Sequence, residues 1–409
     1  MTRPEADPHL SRIRPEAAKA PPSGIVDVMS YGREKEGLIP LWVGEGDLPT
    51  PGFICEAAAR ALRDGETFYT WQRGLPPLRE ALARYHERLY GRPFDPARFH
   101  VTIGGMHAAQ IAIRMACGVG DEVLIPTPAW PNFHGAITVS GATTVPVPMS
   151  FGPGGWSLET DRIEAAISPR TRAIVINSPA NPTGWTADHA DLTRILDLAR
   201  RHGLWIIADE IYGRFVYDDA LRQAGGRTPS FHDIMRPEDR ILFVQTFSKN
   251  WAMTGWRIGW LEAPPALGQT IENLIQYSSS GVPAFQQRAA LAALEEGEPF
   301  VAEQIARAAR GRDIVCDGLA ATGIVDLPPP AGAFYAFFRV RGIMDTRELA
   351  LRLVDEANVG LAPGTAFGLG AEQHLRLCFA RRAEDLEEAV ARMQPVLARI
   401  ATETRASAA

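Results

Sequence analysis

The sequence predicts an α/β protein: a large domain with a mostly parallel sheet flanked by helices, plus a small α+β domain built from both chain ends. Three observations predict it. Short apolar runs rich in β-branched residues recur from about residue 52 to 290, amphipathic stretches separate many of them, and the texture changes after about residue 295. Strands apolar throughout belong in a sheet covered on both faces, which needs helical crossovers. A chain of 409 residues is also too long for one compact core.

Taken in order, residues 1–38 read as a loose N-terminal arm. The stretch MTRPEADPHLSRIRPEAAKAPPSG is polar and proline-rich and lacks the apolar core of a signal peptide. Ile39–Val43, within segment 39–51, is expected to fold back onto the small domain. Gly52–Leu62 and Leu75–Leu89 repeat apolar residues at helical spacing. His100–Ile103 is a strand that runs into Gly104-Gly105 and a helix over Met106–Ala116. Glu122–Ile125, Thr143–Val147, Ala173–Ile176, Leu204–Ala208, Ile241–Val244 and Arg257–Leu261 continue the strand series, with a helix over Ala187–His202. These elements place the large domain at 52–295.

The small domain takes 39–51 and 296–409. It is expected to hold a long helix over Pro299–Thr322, its proline tolerated in the first turn, and a strand pair around Ala333–Arg339. A helix near Thr346–Glu356, a strand at Leu375–Phe379 and a final helix over Ala383–Ala401 complete it.

A net charge of −6 gives no basic face for nucleic acid or membrane. No uncharged apolar run approaches the ~20 residues of a membrane helix, so a cytoplasmic protein is expected. The four cysteines, Cys55, Cys117, Cys316 and Cys378, lie far apart and read as free thiols. The nine histidines show no ligand spacing, so no metal is expected.

Polar groups cluster just after the predicted strands, where open parallel sheets bind ligands. Lys249 follows an apolar strand in Thr246-Phe247-Ser248-Lys249. Burial there lowers an amine's pKa, and a neutral amine forms an imine with an aldehyde. A lone lysine is ordinarily a solvated surface residue; here Arg257, eight residues on, is placed to return to the same edge and clamp a phosphate, and Thr246 and Ser248 add hydroxyls.

Asp209 ends another strand. A carboxylate there can hold a protonated pyridine nitrogen, or serve as a helix N-cap or metal ligand. Tyr212 and Asn181, the latter in a turn-forming Asn181-Pro182-Thr183-Gly184, can each donate to a phenolic oxygen on such a ring. Gly104-Gly105-Met106-His107 opens a helix whose N–H groups attract phosphate, although tight strand–helix turns need glycine anyway. Trp130 offers a flat face for a ring, or a core or interface side chain.

Together these segments resemble the class I aminotransferases, fold-type-I pyridoxal-phosphate enzymes, from about Ile39 to Arg381. Ser248-Lys249 with Met253-Thr254-Gly255-Trp256-Arg257-Ile258-Gly259 carries the resemblance most specifically. The resemblance implies pyridoxal 5′-phosphate as cofactor, with Lys249 as its imine-forming lysine, Asp209 on the pyridine nitrogen, and Asn181 and Tyr212 on the phenolic oxygen. It implies Trp130 as the stacking ring, and Thr246, Arg257 and the backbone of Gly105, Met106 and His107 as the phosphate cup. Arg376 resembles the arginine that takes the substrate α-carboxylate, helped by Gly44 and Asn181. Tyr69 is similar to a tyrosine that reaches the neighbouring subunit's phosphate, which implies a homodimer with shared active sites.

The activity implied moves an amino group between an L-amino acid and a 2-oxo acid by a ping-pong mechanism, Lys249 carrying the α-proton. Two departures stand out. Met106 stands where one aspartate-specific subgroup has a lysine that reads a side-chain carboxylate; this weakens a dedicated aspartate reading and raises neutral, aromatic and sulfur-containing donors, while another arginine, for instance from the partner subunit, keeps aspartate open. Ser278-Ser279-Ser280-Gly281-Val282-Pro283 also differs from the family, so no phosphate contact is carried over to it. A carbon–sulfur lyase or decarboxylase on the same fold is the nearest alternative. A ligand-sensing regulator is the alternative of another class, but the polar segment ahead of Ile39 is too short for a helix-turn-helix unit.

Overall fold

The computed structural model describes residue 9 and residues 12–408. Its main sheet has seven strands, in the spatial order Phe99–Thr102, Gly259–Glu262, Ile241–Thr246, Trp205–Asp209, Thr171–Asn177, Glu122–Thr127, Thr143–Pro148. Gly259–Glu262 runs antiparallel to both neighbours, and every other pair is parallel.

Side-chain alternation divides the core between the two faces of this sheet. Ile174, Ile176, Ile206 and Phe243 pack on one side with Leu192 and Ile195 of helix His189–His202. Ala173, Val175, Ile207 and Val244 pack on the other with Ile111 and Ala112 of helix Gly104–Ala116. Both faces are covered, which is why these strands read as apolar throughout. Helix His189–His202 starts on a capping box between Asp188 and Asp191 and stops at Gly203, whose φ of 67° suits glycine.

A second, antiparallel sheet contains Val325–Asp326, Tyr335–Val340, His374–Cys378 and Ala362–Pro363, in that order. Val315 and Leu319 from helix Glu298–Ala320, and Leu386 and Met393 from the final helix, pack onto its buried side. Ile39–Pro40 returns to this region and pairs in parallel with Val359–Gly360.

Several elements differ from expectation. The strand pair around Ala333–Arg339 is one strand, Tyr335–Val340, whose main partner lies at His374–Cys378. The π-helical turn Leu353–Ala357 follows a helix that stops at Arg352. Arg257 precedes its strand and has φ 54°, so the strand starts at Gly259. Helix Ala284–Glu296 escaped notice because its alanines give little contrast between buried and exposed faces.

The loose-arm reading of 1–38 needs the largest correction. Residues 1–8, 10 and 11 lie outside the described residues, but Gly24–Gly32 is a helix. Asp27 pairs with Arg347 at 2.7 Å, and the Tyr31 hydroxyl donates to Asp355 at 2.8 Å. A Cβ on Gly32 would sit 2.9 Å from the Trp42 ring, so glycine lets the helix approach closely. Tertiary contacts thus order a segment whose composition is that of a loop.

Candidate active site

A cavity of about 490 Å³ lies where Asn177, Asp209 and Thr246 end their strands, with helix Gly24–Gly32 on its opposite side. Lys249 reaches into it three residues after its strand. Its Nζ donates to the Gly44 carbonyl at 2.7 Å. Burial lowers its pKa to about 8; Cys378 and Glu45 oppose the shift, while Arg376 and Arg257 add to it. Near neutral pH a useful fraction of the amine is therefore uncharged.

Asp209 and Glu210, adjacent in the chain, have different surroundings. Asp209 lines the cavity and is 2% exposed, accepting a 3.3 Å bond from the Ile211 N–H. Burial pushes its carboxyl up to about 7, against the pull of that N–H and of Lys249. Glu210 instead accepts from the Ser230 hydroxyl at 2.8 Å, and burial raises it to about 8.

The turn at Asn181 is tied to the same strand end. Asn177 Nδ2 donates to the Asp209 carbonyl at 3.0 Å, and the Asn181 N–H donates to Asn177 Oδ1 at 2.8 Å. Asn181 Oδ1 then accepts from Arg376 Nη1 at 2.9 Å, and Arg376 Nη2 donates to the Trp42 carbonyl. The guanidinium lies 4.7 Å from the Tyr335 ring centre and 4.8 Å from that of Phe367. Its Nε is buried with no hydrogen-bond partner among the described residues. Tyr212, also on the cavity wall, shares a 2.7 Å hydrogen bond with the Tyr335 hydroxyl.

At the other end of the cavity, Thr246 and Gly105 face each other so closely that a Cβ on Gly105 would lie 3.4 Å from that of Thr246. A Cβ on Gly104 would meet Arg257 Nη2 at 2.6 Å, and Gly104 has φ 70°. Glycine thereby brings the arginine against the N-terminus of a 13-residue helix. An uncapped helix start and a guanidinium form an anion site. Met106 and Trp130 complete the wall.

Thus Gly44, Gly105, Met106, Trp130, Asn181 and Asp209 line one cavity, as do Tyr212, Thr246, Lys249, Arg257 and Arg376. His107 does not line it: its Nδ1 accepts from the Ile103 N–H and its Nε2 meets Ser278 Oγ at 2.8 Å, leaving only its backbone for the phosphate cup. Tyr69 is also outside, 94% exposed beside a separate groove with Ser280 and Gly281. Ile25, Val26 and Met29 line the cavity but were missed, since the arm gave no helical signal.

The donor set fits pyridoxal phosphate on three counts. Lys249 supplies an amine depressed toward neutrality, Asp209 supplies a carboxyl that burial keeps from ionising fully despite Lys249, and the Gly104–Arg257 cradle suits a phosphate. Tyr335 also crowds Gly44, where a Cβ would fall 2.1 Å from its hydroxyl oxygen. Only glycine keeps the Gly44 carbonyl in reach of Lys249.

Away from this site, His86, His232 and Glu262 are buried together, with ligand atoms within 4.8 Å of one another. Three distant segments supply them, so no spacing in the sequence announces the group. Arg98 Nε donates to Glu262 at 2.8 Å, and Arg92 Nη2 lies 3.3 Å from His232 Nδ1. Burial would raise the Glu262 pKa, but His232, His86 and Arg98 hold it at about 2. Among the described residues no helix is long and apolar enough to cross a membrane.

A family model described as "Aminotransferase class I and II" matches residues 36–393. The aromatic-amino-acid aminotransferase 2 of Thermococcus litoralis is 34% identical over 380 residues, covering 92% of this chain and 96% of that one. The aspartate aminotransferase of Pyrococcus horikoshii is 35% identical over 382 residues, covering 92% and 94%. A solved Thermus thermophilus aspartate aminotransferase, a single mutant, superimposes with a TM-score of 0.86 at 33% identity, covering 94% of this chain and 99% of that one.

Proposed function

The chain belongs to the class I and II aminotransferases, and from that premise we propose that it transfers an amino group between an L-amino acid and a 2-oxo acid on pyridoxal 5′-phosphate held at Lys249. When bound, pyridoxal phosphate supplies an aldehyde for the amine and a cationic ring that delocalises the electron pair left at the substrate Cα. The observation that carries the reading is the meeting of Lys249 and Asp209 on one cavity. Their pKa values move toward each other, to about 8 and about 7.

Arg376 and the Gly44–Asn181 side of the cavity orient the substrate α-carboxylate. Arg376 is held between two rings with an unpartnered Nε, which favours a planar, two-point contact. With the cofactor bound, Lys249 Nζ would move the proton between the substrate Cα and the cofactor's C4′ carbon. Asp209 would keep the ring nitrogen protonated. Tyr212 and Asn181 would donate to the phenolic oxygen. Arg257, Thr246 and the Gly105–His107 amides would hold the phosphate.

The same reading makes the protein a homodimer. Phe68, Tyr69, Trp71 and Tyr277 are each at least 63% exposed, and Gln72 joins their two segments through Gln276. Large aromatic groups left to water mark an interaction surface. A second copy covers it, and Tyr69 contributes to the partner's phosphate site.

Steady-state kinetics of the loaded enzyme test the reading. Parallel double-reciprocal lines and a strict need for a 2-oxo acid are expected. Pyruvate released from cysteine or cystathionine without an acceptor would instead assign a carbon–sulfur lyase.

A further inference from the structure

The cavity's cations are committed to its floor. Among the described residues, Lys249, Arg257 and Arg376 are the lysine and arginines that line it. Lys249 meets Gly44, Arg257 Nη1 donates to Thr254 O at 2.7 Å beside the Gly104 cradle, and Arg376 donates to Asn181 and Trp42.

The opposite side is different in kind. Ile25, Val26 and Met29 present one face of helix Gly24–Gly32 to the cavity, and Met106 and Trp130 form the adjoining wall. Ile25 and Met29 are backed by the small-sheet core, whereas Val26 is 49% exposed at the cavity edge. The charged Asp27 does not line this cavity; it pairs with Arg347 and borders the neighbouring outer chamber. Met106 and Trp130 also line an adjoining outer chamber of about 960 Å³. Arg114, on its lining, is eight residues beyond Met106 on the same helix, or about 12 Å along the axis.

We propose that the amino donor carries a neutral, apolar side chain longer than alanine's, and that Val26, Met29 and Met106 select it by direct contact. This rests on the transaminase reading above. With its α-carboxylate at Arg376, a donor extends its side chain toward the apolar roof. An aspartate or glutamate carboxylate placed there gains no cation of the described residues beyond those committed to the floor, which makes its desolvation costly. A leucine, methionine or phenylalanine side chain instead removes apolar surface from water, at roughly fourfold in affinity per methylene covered. The outer chamber leaves room for the longer members of the class.

Single-turnover half-reactions of the cofactor-loaded enzyme, read by loss of visible absorbance, test this with L-leucine, L-methionine, L-phenylalanine, L-alanine, L-aspartate and L-glutamate. The three large apolar donors are expected to exceed aspartate and glutamate by at least about tenfold in apparent second-order rate constant, within the range one pocket contact commands. A preference for either dicarboxylate, or for alanine, would overturn the proposal while leaving transamination intact. No conversion with any donor would remove the transaminase reading and this proposal with it. Val26→Lys, at an exposed position that does not endanger folding, is expected to raise the glutamate-to-leucine ratio at least about tenfold. An unchanged ratio would show that helix Gly24–Gly32 does not read the side chain.

Discussion

The hydroxyls of Tyr212 and Tyr335 stand 2.7 Å apart, one following the Asp209 strand and the other opening an inner strand of the small sheet. One of their two protons lies between the oxygens, and the other is free for a ligand in the cavity. If that ligand is the phenolic oxygen of pyridoxal phosphate, the donated bond favours its ionised form. Tyr212→Phe should then raise the pKa of the cofactor imine by about one unit, the effect of losing one hydrogen bond to a charged oxygen. A pH titration of the visible band measures it, and an unmoved midpoint would place Tyr212 elsewhere.

Asp209 makes a prediction about the apoprotein. Its carboxyl is raised in the folded chain to about 7, from an ordinary value of 3.8. A raised acid binds its proton more tightly when folded, so stability is lost as pH rises from the unfolded pKa to the folded one. Asp209→Asn removes that loss. The variant apoprotein should be more stable than wild type at pH 7.5, by on the order of a few kcal/mol, and the advantage should shrink as pH falls toward 5. Urea unfolding across that range checks it. The same substitution should slow transamination, because an amide cannot hold a cationic ring nitrogen as a carboxylate does.

Arg376→Leu separates substrate from cofactor. Hydrogen bonds to charged groups contribute about 1.5–3 kcal/mol each, so removing this contact should lower kcat/KM for amino acids by roughly 100-fold or more. Cofactor binding, followed by visible absorbance after dialysis, should survive. Loss of the cofactor in the variant would mean that Arg376 holds the wrong partner in this assignment.

Tyr69 and Lys249 test the shared site together. Lys249→Ala should abolish the visible band and reduce turnover by at least about 10³-fold, within the range of general acid–base catalysis. Tyr69→Phe should weaken cofactor retention. A hybrid dimer of one Tyr69→Phe subunit and one Lys249→Ala subunit regains one intact site only if the tyrosine acts across the interface. Restored activity on mixing and reassociation is the expected result; no restoration would confine Tyr69 to its own chain.

The floor of the site was legible because each group follows a strand that announces itself. Asp209 ends one apolar strand and Lys249 comes three residues after another, and the topology of a parallel sheet sends such positions to one edge. Tyr335 lay unmarked within the expected strand pair around Ala333–Arg339, since its hydrogen bond to Tyr212 spans 123 residues. Helix Gly24–Gly32 was invisible for another reason. Prolines precede it and glycines stand at both ends, so its order comes from Trp42, Arg347 and Asp355. The single strand Tyr335–Val340 was overcounted because an unbroken apolar run does not tell where its partner lies.

Helix Gly24–Gly32 also bears on how such a protein diversifies. The residues proposed for chemistry lie on the strand ends and on the small sheet, while three roof positions lie on a nine-residue helix from a separate stretch of chain. Change at 25, 26 and 29 alters what the roof accepts and leaves the Lys249–Asp209 floor untouched. A descendant can acquire a new diet through a handful of codons, and a mutant library confined to those three positions would retrace that route in the laboratory.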